Sequence, residues 1–216
     1  MEHTNPVERK PVPTLSDKAI FTEIWIHPRR VFRFLDYHEY DKFLWPLLML
    51  TGISRALSNA VSGNMGDDLP RLAGLGIVIV LGGLLGWLGI YIYASLIQLT
   101  GSWLGGKGIT NDVLRALAYA SIPVVVSMAP TLILLIICGS ELFTSNIGAA
   151  QPGGFSIAAT LSIRLPQAIL GTWSFVLSIA GIAEVQQFSV GKAIANALLP
   201  LLIFLPFIVL IVLASV

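Results

Sequence analysis

The sequence predicts an all-α, polytopic membrane protein with five transmembrane helices and amphipathic N-terminal helices at the membrane interface. Three observations support this fold class. Hydrophobic residues make up 55% of the 216 residues and charged residues only 12%, about half the charged share of a soluble domain. Apolar runs long enough to cross a bilayer recur along the chain. These runs lack the alternation of apolar and polar residues that is typical of an outer-membrane barrel.

This composition also excludes several classes of protein. Too little polar material is present to cover a soluble globule, which argues against a soluble enzyme, a disordered chain or a fibrous repeat. The net charge of +1 gives no general attraction to nucleic acid, so we expect no nucleic-acid partner. Cys138 is the single cysteine, which excludes an internal disulfide and a cysteine-based zinc site.

The N-terminal part of the chain is polar. Its first 42 residues carry seven basic and seven acidic side chains, so the first apolar run comes too late for a cleavable signal peptide. Residues 1–13 contain three prolines and are predicted to form a disordered tail. Residues 14–41 are predicted to form an amphipathic cytoplasmic or interfacial segment, because its apolar residues follow a helical spacing.

Two helices are expected in this segment. Ile20, Phe21, Ile24 and Trp25 share one apolar helical face, and Pro28 ends the first helix and begins the second. The second helix mixes arginines with apolar residues, which suits a helix lying among lipid headgroups. It is interpreted either as a membrane-surface anchor or as a docking site for a cytoplasmic partner. The candidate contact residues are Trp25, Arg29, Arg30, Phe32 and Arg33.

The transmembrane domain is predicted over residues 42–216. A helix needs about 20 apolar residues to cross the hydrocarbon core, and five stretches meet or approach that length. The first stretch contains Arg55 near its far end, where the side chain can snorkel outwards. The spans are predicted at about 43–61, 75–100, 113–138, 165–183 and 193–215.

Lysine and arginine near the span ends predict the orientation. The N-terminal segment and alternate loops on its side are the more basic, and they include Lys107 and Lys192. The opposite side holds Arg71 and Arg164. The expected orientation therefore has a cytoplasmic N-terminus and, with five spans, a C-terminus on the periplasmic or extracellular side.

The second span contains a pair of small residues four positions apart. Gly82 and Gly86 would let another helix approach closely. The neighbour is either a helix of the same chain or a second copy, so a homo-oligomer stays possible at this point.

Prolines interrupt the third and fifth spans in pairs. Each proline removes a backbone hydrogen bond and tends to kink its helix. The kinks are interpreted either as fixed features of the shape or as points of movement that open a cavity, as in transporters. The predicted kink positions are Pro123, Pro130, Pro200 and Pro206.

The predicted topology brings several polar side chains to the cytoplasmic third of the bundle. Glu184 is the expected counter-charge of Arg115, because unpaired charges at membrane level are costly. The set forms either a polar clamp that ties spans two to five together or a cleft for a lipid headgroup or small polar ligand. Its members are Gln98, Arg115, Tyr119, Glu184, Gln187 and Asn196.

No motif indicates catalysis. His3, His27 and His38 all precede the first span without ligand spacing, and no nucleophile elbow, zincin or Walker motif occurs. No acidic residue lies in mid-span, which argues against proton-coupled transport through a buried acid. We therefore expect no enzyme activity, no catalytic residue, no metal and no cofactor.

Three segments carry a family resemblance. Residues 21–32, with Trp25, Pro28 and Arg29, resemble the amphipathic opening of bacterial Yip-domain proteins. Residues 116–123, which read ALAYASIP, are similar to the third-span signature of the Yip (Ypt/Rab-interacting protein) family. Residues 173–189 and 192–193 resemble the fourth span and following loop of the bacterial branch. The resemblance covers roughly residues 20–210.

The resemblance implies a five-helix membrane domain with a cytoplasmic N-terminus and no catalytic residue. Eukaryotic members are implicated in vesicle trafficking, membrane shaping and contacts with prenylated Rab-type GTPases. This chain lacks their Asp-Leu-Tyr-Gly-Pro signature before the first span. The leading hypothesis is a non-enzymatic membrane protein that organises lipids or protein partners. The alternative is a small-molecule or lipid transporter that uses a cytoplasm-facing cleft among spans two to five.

Overall fold

The fold is described from a computed structural model, and the description covers residues 14–67, 71–145, 155–200 and 202. Within these ranges the chain is helical and contains no β-strand, which confirms the all-α prediction. The tail predicted at residues 1–13 lies outside the described residues. The helices are α1 (Asp17–Glu23), α2 (Pro28–Tyr37), α3 (Leu44–Ser62), α4 (Arg71–Trp103), α5 (Thr110–Ala120), α6 (Ile122–Val126), α7 (Ala129–Cys138) and α8 (Phe155–Val185), with a 3₁₀ turn at Gly139–Phe143 and a final helical segment at residues 190–200.

Three helical stretches are long and apolar enough to cross a membrane, within the described residues. They are Val80–Trp103, Thr110–Phe143 and Ile157–Val185. The first predicted span corresponds to α3, whose 19 residues extend over about 28 Å at 1.5 Å per residue. The fifth begins in the 190–200 helix, and most of it, including Pro206, lies outside the described residues. Large apolar side chains on α4 and α8 face outwards, as expected of helices in lipid: Leu81, Leu84, Leu85, Ile92, Leu165 and Ile169.

The two N-terminal helices, α1 and α2, fold onto one end of the bundle, and we call them the N-terminal cap. Ser16 begins α1 by accepting a hydrogen bond from the Ala19 N–H at 3.3 Å. The apolar face of the cap is buried, with Ile20, Ile24 and Leu35 all at most 1% exposed. The cap packs mainly against α5 and α8, so its apolar face contacts the bundle.

Close packing of α3 against α4 depends on three glycines. A Cβ added to Gly52 would collide with the Gly82 carbonyl oxygen and lie 2.8 Å from the Gly86 Cα. These two helices also make the most extensive contact between elements among the described residues. In this structure Gly82 and Gly86 therefore contact a helix of the same chain. Because glycine has no side chain, the backbones of α3 and α4 can approach closely at these positions.

The third predicted span is divided into α5, α6 and α7. The helix is interrupted at Ser121 and again at Ser127–Met128, and Pro123 and Pro130 each lie in the first turn that follows a break. Hydroxyl groups satisfy carbonyls near the breaks. Ser174 on α8 donates to the Ala120 carbonyl at 2.7 Å, and an α3 serine, Ser54, donates to the Val124 carbonyl at 3.0 Å. Neighbouring helices thus supply the hydrogen bonds that a broken helix needs in lipid.

The prolines of the later helices are placed differently. Pro166 lies inside α8, which continues through it. Pro200 is buried at the end of the 190–200 helix.

Candidate functional site at the capped end of the bundle

The N-terminal cap, the starts of α3 and α5 and the end of α8 meet at one end of the bundle, which we call the capped end. Most of the ionised side chains in the described residues lie here. Arg115 on α5 is at its centre, with a side chain only 5% exposed.

Two carboxylates hold Arg115. Its Nε donates to Asp41 Oδ1 at 2.7 Å, and its Nη1 donates to Asp112 Oδ1 at 3.2 Å. Asp112 lies three residues earlier on the same helix, the spacing at which helical side chains meet. Asp41 lies in the link between the cap and α3. The buried guanidinium therefore joins α5 to that link.

The expected pair between Arg115 and Glu184 is wrong. Glu184, near the end of α8, accepts from Arg33 Nε at 2.7 Å. Arg33 was predicted to contact the membrane surface or a partner, but α2 lies beside α8 and brings this arginine to the carboxylate. Arg33 and Arg115 thus pair with different acidic residues. The Arg33–Glu184 pair ties the cap to α8, and the Arg115–Asp41 pair ties its link to α5.

Tyr119 is fully buried one turn after Arg115. Its hydroxyl donates to the Tyr40 carbonyl at 3.3 Å and accepts from the Phe43 N–H at 3.4 Å. Tyr119 thus provides hydrogen bonds to two backbone groups where the chain leaves the cap and enters α3.

Tyr40 and Lys42 both contact the Asp17 carboxylate. These contacts hold α1 against the link between α2 and α3. The Tyr40 hydroxyl donates to Asp17 Oδ1 at 2.6 Å. The hydrogen bonds from Lys42 and Tyr40 lower the pKa of Asp17. Burial and the hydrogen bond to Asp17 raise the pKa of Tyr40 to about 12.

The polar residues on α4 and beyond α8 form a second cluster. Asn196 is fully buried, and its Oδ1 accepts from the Thr100 hydroxyl at 2.7 Å. Gln186 is 1% exposed and accepts from the Gly108 N–H at 3.0 Å. Gln187, the glutamine that was predicted to join the cluster, is exposed with φ of 56° where α8 ends. Gln98 is half-buried and makes no side-chain hydrogen bond to the described residues.

The other predicted contact residues divide between the surface and the interior. Arg29 and Arg30 are exposed on α2, and Trp25 is half-buried against the core. Phe32 is 1% exposed and packs beside Gly181 of α8, so its assignment to the membrane or partner surface is wrong. Its position on the apolar face of α2 places it inside, because that face contacts the bundle.

Exposed tryptophans surround the capped end. Trp45 at the start of α3 is 52% exposed, and Trp103 at the end of α4 is 65% exposed. Tryptophan is enriched at both membrane–water interfaces.

Sequence reasoning missed Asp41 and Asp112 as partners at this site, and its list of candidate residues names Gln187 instead of the neighbouring Gln186. The spacing of Asp112 and Arg115 on one helix was a usable signal. Asp41 is 74 positions from Arg115, and no local pattern connects them. Gln186 and Gln187 are adjacent, so their burial depends on where α8 ends.

Replacement of Asp36 on α2 tests how buried charge affects the stability of the cap. Burial raises the pKa of its carboxyl group, and the nearby Asp112 raises it further. A raised pKa in the folded state means that the ionised form is penalised at neutral pH and that the penalty disappears as the pH falls. We expect Asp36→Asn to stabilise the fold at pH 7 by about 0.5 kcal/mol, with a smaller gain near pH 4, as measured by thermal unfolding in detergent.

Asp17→Asn is the matched control, because the pKa of Asp17 is lowered instead of raised. This variant should be destabilised at pH 7, since it loses charge-assisted contacts with Lys42 and Tyr40. Equal effects of the two substitutions would contradict the electrostatic description of the cap.

A cavity lies deeper in the bundle. Its volume is about 460 Å³, and it is bounded by α3, α4, the α5–α6 break and α8, with Ala197 at one edge. Ser121 and Leu117 line it, whereas Arg115 and Tyr119 do not. No group of three or more His, Cys, Asp or Glu side chains that could hold a metal ion occurs among the described residues.

Comparison with known proteins identifies the family. The model of the Yip1 domain matches residues 22–211. This range includes α2, the rest of the bundle described here and the cavity, and it begins near the end of α1. No curated protein and no solved structure matches the chain. Because the family model spans nearly the whole chain and the described residues form apolar helices of membrane-crossing length, the protein is a membrane protein that belongs to the Yip1 domain family.

Proposed function

We propose that the protein is a non-enzymatic inner-membrane protein that organises membrane lipids through the surface of its N-terminal cap. The observation that carries this proposal is the placement of exposed arginines on a cap that is locked onto the bundle. Arg29 and Arg30 are exposed on α2, and Arg30 also forms an ion pair with Glu23 at 3.2 Å. Arg33 and Glu184 hold the same helix against α8. The cap can therefore present fixed positive charge to the leaflet.

The capped end is proposed to face the cytoplasm. It carries most of the basic residues that flank the helices, including Lys18, Lys107 and Lys192, and an excess of lysine and arginine favours the cytoplasmic side. Anionic headgroups of that leaflet attract such residues with about 1 kcal/mol for each Lys or Arg near the surface. The exposed Trp45 and Trp103 support this orientation, because tryptophan is enriched at headgroup level.

Lipid selectivity tests the proposal. The full-length protein is reconstituted in phosphatidylcholine, and the association of spin-labelled phosphatidylglycerol is compared with that of labelled phosphatidylcholine. We expect Arg29→Gln with Arg30→Gln to lower the preference for phosphatidylglycerol by on the order of fivefold for each arginine, since 1 kcal/mol corresponds to about that factor.

Arg164→Gln is the matched control, because Arg164 is exposed on α8 near its far end. This variant should keep most of the selectivity. An unchanged preference in the double variant would refute a lipid-contacting cap. Loss of in-cell crosslinks to a protein in the double variant, with lipid selectivity intact, would assign the same surface to a protein partner.

A second candidate function is translocation of a lipid or small molecule across the membrane. The cavity of about 460 Å³ beside the α5–α6 break favours it, because broken helices line the substrate sites of many transporters. Flux of a fluorescent lipid in proteoliposomes tests this candidate. It predicts that flux falls when Leu117, which lines the cavity, is replaced by tryptophan.

A further inference from the structure

Arg55 lines the cavity in the middle of the bundle, and its charge has no partner within the described residues. It shares the cavity wall with Tyr93, Ser121, Ser174 and Ser178. Its side chain makes no ion pair and no hydrogen bond in the described part of the chain. Arg55 is exposed where it lines the cavity, whereas Arg115 is buried and has two carboxylate partners. Arg55 thus differs from it in both position and pairing.

Three helices independently place the cavity at mid-membrane depth. Arg55 lies eleven residues after the start of α3, Ser121 eleven after the start of α5, and Ser174 eleven before the end of α8. Each of these distances corresponds to about 16 Å along a helix, roughly half of a hydrocarbon core of about 30 Å. All three counts start from the capped end.

The chain itself has no carboxylate to neutralise Arg55 at this depth. Acidic residues are absent from the helices except at their ends, as the printed sequence shows for residues 42–66, 69–111, 113–140, 142–183 and 185–216. A charged side chain at the bilayer centre is costly and normally pairs with another group. At this depth, a counter-charge for the Arg55 guanidinium would come from a molecule that is not part of this chain.

Arg55 supplies the hydrogen-bond donors of the cavity that are not already used by other described residues. The hydroxyls of Ser121, Ser174 and Ser178 donate to the carbonyls of Ala118, Ala120 and Ser174, and the Tyr93 hydroxyl donates to the Ala197 carbonyl. Those hydrogens are already used. The planar guanidinium offers five donors in a geometry that matches phosphate.

The edge of the cavity is open to the outside of the described bundle. Phe175 on α8 is 48% exposed, and a Cβ added to Gly89 on α4 would meet no atom within 4 Å. The exposed faces of α4 and α8 beside it are apolar, with Ile92 and Val176 about half exposed. A ligand with both a phosphate and an acyl chain fits such surroundings.

We propose that this cavity binds the phosphate group of a membrane phospholipid, with the Arg55 guanidinium as its counter-charge. This site is separate from the surface of the N-terminal cap and does not depend on its role. Charge-assisted hydrogen bonds between guanidinium and phosphate supply the affinity, and the apolar faces of α4 and α8 accommodate the chains.

Native mass spectrometry of the full-length protein tests the proposal. The wild-type protein, purified in mild detergent, should retain a phospholipid. We expect Arg55→Met to lower that occupancy by about tenfold or more, because the variant loses the charge-assisted hydrogen bonds to the phosphate. Arg164→Met, an exposed arginine near the other end of α8, should retain the lipid like the wild type.

A second variant keeps the charge and fills the space. Gly171 lines the cavity, and a Cβ added there would meet no atom within 4 Å, so Gly171→Leu should fold and exclude the lipid. Wild-type lipid occupancy in both Arg55→Met and Gly171→Leu would overturn the proposal. Loss of the lipid in both, with Arg29→Gln unaffected, supports it and separates it from binding at the cap.

Thermal shifts distinguish the two sources of phosphate. Delipidated wild-type protein should be stabilised by added phosphatidylglycerol, and Arg55→Met should show little of that shift. A shift with inorganic phosphate alone, and none with phosphatidylglycerol, would overturn the assignment of a lipid and indicate a soluble phosphate instead. The absence of a shift with either compound would overturn binding of phosphate altogether.

Discussion

Replacement of Gly52 by leucine is expected to separate α3 from α4 and to cause the largest loss of stability among the variants proposed for this protein. A side chain at Gly52 meets the Gly82 backbone and the Gly86 Cα, and backbone atoms cannot rotate away as a flexible side chain can. Overpacking of a core costs about 1–3 kcal/mol, and we expect a loss at or above the upper end of that range. Thermal unfolding in detergent measures it.

Gly76→Leu is the matched control on α4. A Cβ at Gly76 meets no atom within 4 Å, and replacing a helical glycine gains backbone stability of up to about 1 kcal/mol. This variant should be as stable as the wild type or more so. Equal melting temperatures for Gly52→Leu and the wild type would show that the two helices do not approach through their glycines.

Arg115→Met is expected to have the second largest effect, because it removes the charge at the centre of the capped end. Breaking a buried ion pair by removing one partner costs about 3–5 kcal/mol. The expected loss is somewhat smaller here, since the Asp41 side chain is 54% exposed and keeps contact with water. The link that contains Asp41 should also become accessible to protease, which limited proteolysis measures.

Two further variants separate the charge of Arg115 from its geometry. Arg115→Lys keeps the charge but cannot reach both carboxylates in one plane, so its stability should lie between those of Arg115→Met and the wild type. Lys107→Met removes an exposed cation from the loop before α5 and should change little. A stable Arg115→Met with an ordered link would show that the ion pairs do not hold the capped end.

The fold class could be predicted from the sequence because lipid imposes a simple rule on composition. Long apolar runs without charge leave few structures other than helices, since each backbone group must be bonded within its own segment. The same rule made the third-span prolines informative: Pro123 and Pro130 cannot donate the hydrogen bonds that a continuous helix requires. The helix breaks observed before them follow from this missing donor.

The partners at the capped end could be predicted only in part. Arg115 and Glu184 both lie at the capped end, but proximity to one interface does not determine which charges meet. Pairing depends on how α2 lies against α8, and the sequence pattern shows that α2 is amphipathic without showing what its apolar face contacts. The same pattern is compatible with lipid or protein as the neighbour of Phe32.

The direction of the Arg55 side chain could not be predicted from the sequence, for a different reason. Its position near the far end of a predicted span suggested that the side chain could snorkel to the interface. The direction of the side chain depends on the rotation of α3 about its axis. The glycine contact with α4 fixes that rotation, so the position of Arg55 follows from tertiary packing.

The contact between the cap and α8 also affects the order in which the parts of the protein fold during synthesis. Arg33 and Glu184 are separated by 151 positions, so the cap leaves the ribosome long before the end of α8 exists. At translation rates of about 5–20 residues per second, the interval is on the order of ten seconds. During that interval Phe32 lacks the α8 surface around Gly181 against which it packs in the complete protein. The emerging N-terminus must therefore be sheltered by the leaflet or by a chaperone until the last described spans are inserted, and the cap docks as a late step of biogenesis.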